Sequence, residues 1–147
     1  MAIDESAAAG TESLTNLGSQ LQLLPNLEHA SVSREKLYEY VLNPEHPEGR
    51  HKARVFASVL GIERRHADVL AQIIIASLPR AAAGRRQDDE YGQSWTTYHE
   101  IVGLNAKTAI ITVAWKILVE EPERPKLVSC YIDLDEQQEL TQLLRMG

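Results

Sequence analysis

Two groups of residues in this sequence could do chemistry. The first is the loop Asn43-Pro44-Glu45-His46-Pro47-Glu48-Gly49-Arg50-His51-Lys52. It offers two imidazoles that titrate near neutrality, two cations, and the free N–H groups of a helix beginning near Gly49 or Arg50. The second lies far along the chain: Thr112 and Trp115, then Ser129 and Tyr131, on two strand-like stretches. Together they suit a phosphodiester. Lys52 and Arg50, with His51 beside them, hold the phosphate. His46 moves the proton of a 2′-hydroxyl or leaving group, and Ser129 or Tyr131 assists. Strand alternation places Ser129 and Tyr131 on one face. Each residue also has a plainer reading, as an exposed loop side chain or a strand aromatic.

These residues need elements to carry them. Residues 1–23 are rich in Ala, Ser, Gly, Thr and Gln without a firm period and read as a flexible leader; residues 24–147 read as a single domain. A possible short strand lies near Ala30–Val32. Ser33 is an N-cap for a first helix, with Leu37, Val41, Tyr38 and Leu42 on its stripe, which Asn43-Pro44 stops. A second helix runs from about Arg50 to Leu60, with Gly61 at the left-handed cap. A third covers about Arg64 to Leu78, its end marked by Pro79. Arg80 to Asp89 reads as a linker. Strand composition follows at Trp95–Val102, Thr108–Val119 and Lys126–Ile132, with a hairpin connection at 103–107. Asp133 and Glu136 open a last helix in the manner of a capping box. Helices first, then an antiparallel meander, then a helix imply an α+β fold of two or three N-terminal helices on a sheet of three to four strands.

Composition sets bounds. The chain has 147 residues, 44% of them hydrophobic, and a net charge of −6, which argues against coating nucleic acid by bulk electrostatics. The charge is uneven. Between Arg50 and Arg86 eight Lys/Arg face only Glu63 and Asp68, a local excess of +6, so the remainder carries −12. That basic half allows a local anionic ligand. The single Cys130 reads as a buried, inert thiol, and His66 and His99 have no evident partner in sequence. The acidic runs Asp88-Asp89-Glu90 and Glu120-Glu121 read as solvated; no metal site, cofactor motif or membrane span is expected, and a cytoplasmic location is.

The run Leu37-Tyr38-Glu39-Tyr40-Val41-Leu42-Asn43-Pro44, with His46-Pro47, Gly49, Lys52-Ala53 and Phe56, is similar to an uncharacterised bacterial domain family with the pattern LxNPxHPxGxxKAxxF. Weaker hallmarks are Tyr91-Gly92, the Trp115 strand and Pro125–Tyr131. Such domains look like the small α+β fold of the barnase, EndoU, colicin and RelE-type ribonucleases. The resemblance implies metal-independent RNA cleavage by a toxin-type domain, with His46, Lys52, Ser129 and Tyr131 as the residues carried over. It also implies a cognate antitoxin or immunity protein as a partner. The alternative is a non-catalytic protein-binding module, such as one member of a toxin–antitoxin or immunity pair.

Overall fold

The structure, a computed structural model, describes residues 22–146. The expected leader therefore lies almost wholly outside the described residues. Leu24 is buried, and Gln22 pairs with Ala83, so the chain is docked from its first described residues. The expected strand near Ala30–Val32 is reduced to a one-residue parallel bridge, Ser31 to Lys126.

Ser33 caps the first helix as expected: its side chain accepts the Lys36 N–H at 3.1 Å. Helix α1 (Arg34–Lys36) is a single α-turn that widens at once into a π-helical turn, Leu37–Val41. The wider turn buries Leu37, Val41 and Leu42, but it carries Tyr38 out to the surface, where the Arg64 guanidinium lies 4.0 Å from its ring centroid. Tyr38 is thus not part of the buried stripe, because that stripe assumes 3.6 residues per turn.

Helix α2 (Arg50–Leu60) has the expected bounds, and Gly61 takes the left-handed φ of 68° that a helix cap requires. Phe56 and Leu60 are its fully buried residues. A 3₁₀ turn at Arg64–His66 leads into α3 (Ala67–Ser77), and a second such turn, Leu78–Arg80, follows it.

The expected linker from Arg80 is corrected by the structure: Ala82–Arg85 is strand β1. Alanine and glycine have little strand propensity of their own, and pairing with the next strand supplies the order, in register Ala82 to Tyr98 through Arg85 to Trp95. Strands β2 (Gly92–Val102), β3 (Thr108–Leu118) and β4 (Lys126–Tyr131) complete an antiparallel sheet in the order β1-β2-β3-β4. A 3₁₀ turn at Leu134–Glu136 then opens α4 (Gln137–Met146). The fold is α+β.

Strand parity divides the sheet. Trp95, Ile111, Val113, Trp115, Leu127 and Cys130 face α2 and α3 in the main core, with Phe56, Leu60, Leu70 and Ile74. On the opposite face α4 covers only one end, where Leu140 and Leu143 pack on Tyr98 and Ile110. There the Gln137 side chain stands in for a further strand: it accepts the Ile110 N–H at 2.9 Å and donates to the Ile110 carbonyl at 3.0 Å.

Candidate functional site

Both ends of α2 are fixed, and this sets where Lys52 points. At the start, Gly49 lies so close to Tyr40 that a Cβ there would stand 2.4 Å from the Tyr40 carbonyl oxygen. At the end, the β2–β3 hairpin closes on the helix. The Leu104 N–H donates to the Leu60 carbonyl at 2.8 Å, and Asn105 Nδ2 donates to the Val59 carbonyl at 3.1 Å. These bonds satisfy carbonyls that a helix C-terminus otherwise leaves open.

From that helix Lys52 reaches round β4, the outermost strand. Its Nζ donates to Ser129 Oγ at a long 3.5 Å and lies 5.0 Å from the Tyr131 ring centroid. The two groups of residues that are 77 positions apart in sequence therefore meet at this edge.

Ser129 and Tyr131 belong to the face that α4 leaves partly open. Cross-strand register sets Tyr98, Thr112 and Tyr131 side by side in one row. The next row is Gly84, Thr96, Ala114 and Ser129, with only Ala114 between the two hydroxyls. The third holds Ser94, Lys116 and Lys126; there the Arg86 N–H donates to the Ser94 carbonyl at 2.7 Å, and Lys116 Nζ bonds Asp89 at 2.7 Å and Ser94 Oγ at 3.2 Å. Among the described residues the hydroxyls of Thr96, Tyr98, Thr112 and Tyr131 take no hydrogen bond within the chain. None is a sealed, unsatisfied polar atom either. Thr96, Tyr98 and Thr112 are buried residues all the same, and Tyr131 is half-buried.

Three residues at this face had no signal of function in sequence. The Arg86 guanidinium is near enough to Tyr98, Tyr131 and Glu136 to act on them electrostatically, and among the described residues it forms no ion pair. Burial pushes the Tyr98 hydroxyl up to about 12 and also raises Tyr131. Glu136 is raised above the usual carboxylate range, first by burial and then by the Asp133 carboxylate beside it. Thr112 is legible in sequence; its cross-strand neighbour Tyr98 comes from β2, whose pairing with β3 is not written in any local motif.

The other expected site residues sit elsewhere. The His46 ring is part of the turn before α2: Nδ1 accepts the N–H groups of Glu48 and Gly49, each at 3.0 Å, and the ring stands edge-on to Tyr40 at 4.6 Å. With Nδ1 committed as acceptor, the ring proton is on Nε2. Among the described residues no hydrogen bond or ring contact joins His46 to Lys52, Ser129 or Tyr131. Arg50 and His51 are exposed, and helical rotation of about 100° per residue turns them away from the direction Lys52 takes. Trp115 is corrected outright as a ligand-binding residue. It is only 1% exposed, on the core face, with Nε1 donating to Thr97 Oγ1 at 2.8 Å.

His99, which had no evident partner in sequence, has two in space. Ser77 Oγ stands 2.7 Å from Nδ1 and Thr97 Oγ1 stands 2.7 Å from Nε2. Ser77 also bonds the Ile73 carbonyl at 2.7 Å. One assignment satisfies every proton: Trp115 N–H to Thr97, Thr97 O–H to His99 Nε2, His99 Nδ1–H to Ser77, Ser77 O–H to Ile73. Burial, with Arg80 nearby, holds this imidazole down at about 4, so it is neutral.

Among the described residues no trio of His, Cys, Asp or Glu side chains is placed to hold a metal ion, and no helix is long and apolar enough to cross a membrane. Fold and site together define an α+β domain with a partly covered, hydroxyl-bearing sheet face and Lys52 at its edge. The family model described as a domain of unknown function, DUF6883, matches residues 23–134, and the chain belongs to that family. No curated protein and no solved structure matches it.

Proposed function

We propose that this domain acts on RNA, as a toxin-type ribonuclease whose site is the open face of the sheet. The observation that carries the reading is the meeting of Lys52 with Ser129 and Tyr131. A cation held at the edge of a row of unbonded hydroxyls is what a phosphodiester needs. The ammonium neutralises a non-bridging oxygen, while Ser129, Thr112 and Tyr131 supply hydrogen bonds that orient the group. The local excess of +6 between Arg50 and Arg86 supports attraction of an anionic chain to this half of an otherwise acidic molecule.

The reaction proposed is the intramolecular one that RNA permits. The 2′ oxygen attacks phosphorus, the bond to the 5′ oxygen breaks, and the products are a 2′,3′-cyclic phosphate and a 5′-hydroxyl. A toxin of this kind implies a cognate antitoxin or immunity protein that covers the face. The experiment is incubation of the purified protein with total RNA and with tRNA, with and without EDTA, beside Lys52→Ala. Cleavage in both buffers that is lost in the variant supports the reading. A wild-type protein that cleaves neither RNA, is harmless on expression and copurifies with a neighbouring gene product instead indicates a non-catalytic binding module.

A further inference from the structure

The His46 ring is joined to no group at the open sheet face, yet ring and backbone are both engaged in the loop before α2. We infer that His46 is a positioning residue: it fixes the turn from which α2 starts, and through that turn the place of Lys52 at the edge of β4. This inference rests on the RNA-cleaving reading above.

The start of α2 has little of its own to hold it. A helix N-terminus leaves N–H groups open and favours acidic side chains in its first turn. Here the capping residue is Gly49, which has no side chain to accept a bond, and the first turn is Arg50-His51-Lys52 with no acid. His46 supplies what is missing. Its Nδ1 accepts the Glu48 and Gly49 N–H groups, each at 3.0 Å, and its carbonyl accepts the Arg50 N–H at 2.9 Å. The ring stands edge-on to Tyr40 at 4.6 Å, and the Tyr40 backbone in turn lies against Gly49. Asn43 builds a similar turn three residues earlier. Its Oδ1 accepts the Glu45 N–H at 2.9 Å and its carbonyl accepts the His46 N–H at 3.2 Å. Linked turns therefore run from Asn43 into α2, and Lys52 stands, half-buried, on the first turn of that helix.

The ammonium depends on that backbone. Its contact with Ser129 Oγ, at 3.5 Å, is too long to hold it in place, so its position is set by the helix from which it extends. A displacement of about 1 Å in a group that meets the reacting atoms can cost about 100-fold in rate. His46 itself has no acceptor nitrogen left for a substrate proton. Nδ1 is used by the backbone and Nε2 carries the ring proton. The geometry gives this imidazole the role of placing a cation, not of moving a proton.

The test uses the full chain, as wild type, His46→Ala and His46→Asn. An asparagine oxygen accepts backbone N–H groups two and three residues on, as Nδ1 does here, but an amide does not take up a proton near neutral pH. Exchange of the Glu48 and Gly49 amides is followed by NMR, and cleavage of a short RNA is measured on the same preparations. Both amides should be protected in wild type. His46→Ala should free them and cleave at least about ten-fold more slowly. His46→Asn should protect them again and cleave within about two-fold of wild type. The positioning role alone is overturned if both amides exchange freely in wild type. It is also overturned if His46→Ala frees them and keeps the full rate. A His46→Asn protein with both amides protected but no faster than His46→Ala overturns it as well, and makes the imidazole a catalytic residue. A wild type inert on RNA, with both amides protected, overturns the underlying reading and the role in cleavage with it.

Discussion

The Lys52 Nζ stands 3.5 Å from Ser129 Oγ, although the two residues belong to a helix on one face of the sheet and a hydroxyl row on the other. The contact is possible because β4 is the outermost strand, and a lysine side chain is long enough to pass its edge. The bond is too long to contribute much stability, and a partly exposed cation–π contact adds only about 0.5–1 kcal/mol. Replacing Lys52 with alanine should therefore shift the unfolding midpoint little. RNA cleavage should fall by about 100-fold or more, the usual size for losing a cation that meets developing charge. Thermal melts and cleavage rates of the same preparation separate the two effects.

Gly49→Ala tests whether the start of α2 positions that lysine. The added methyl would meet the Tyr40 carbonyl oxygen at 2.4 Å, so the turn must shift. Overpacking of this kind costs about 2 kcal/mol. Cleavage should drop even at temperatures where the variant is fully folded, because Lys52 moves with the helix. Circular dichroism at the assay temperature provides the folding control.

Stability should depend on pH through His99. Its folded-state value of about 4 lies below the ordinary 6.5, so between those values the unfolded chain binds a proton that the folded chain does not. Stability is thus fully present above pH 6.5 and is lost as pH falls toward 4, by at most about 3 kcal/mol. Urea midpoints at pH 7 and pH 4.5 measure this. A His99→Gln variant should be less stable at pH 7, since Ser77 and Thr97 lose a matched partner, and should show a smaller fall with pH.

Cys130 should be inert in the folded protein. It is fully buried on the core face of β4, and burial pushes its thiol far above the usual range. A thiol reagent added to the native protein should label it no faster than the chain unfolds; in urea it should react at once.

Much of the scaffold is legible in the sequence, for identifiable reasons. The α2 bounds follow from Pro44, Pro47 and Gly61, residues whose backbone preferences act locally. The three long strands follow from runs such as Trp95–Val102, where β-branched and aromatic residues gather. Ala82–Arg85 is not legible, because its order comes from pairing with β2 rather than from its own composition. The site is legible only in part for the same reason. Alternation puts Ser129 and Tyr131 on one face, but it cannot tell which face the helices cover, and so Trp115 is a substrate-binding candidate in sequence while it lies in the core. Arg86 and Tyr98 carry no motif, and Glu136 carries only that of a helix start. Cross-strand register alone sets Tyr98 beside Thr112.

The central claim is that the face bearing Lys52, Ser129 and Tyr131 cleaves RNA, and the most direct measurement is end-group analysis of RNA incubated with wild type and Lys52→Ala in EDTA. The account predicts fragments with 2′,3′-cyclic phosphate and 5′-hydroxyl ends from wild type and almost none from the variant. Intact RNA with wild type, or equal cleavage by both proteins, would contradict it.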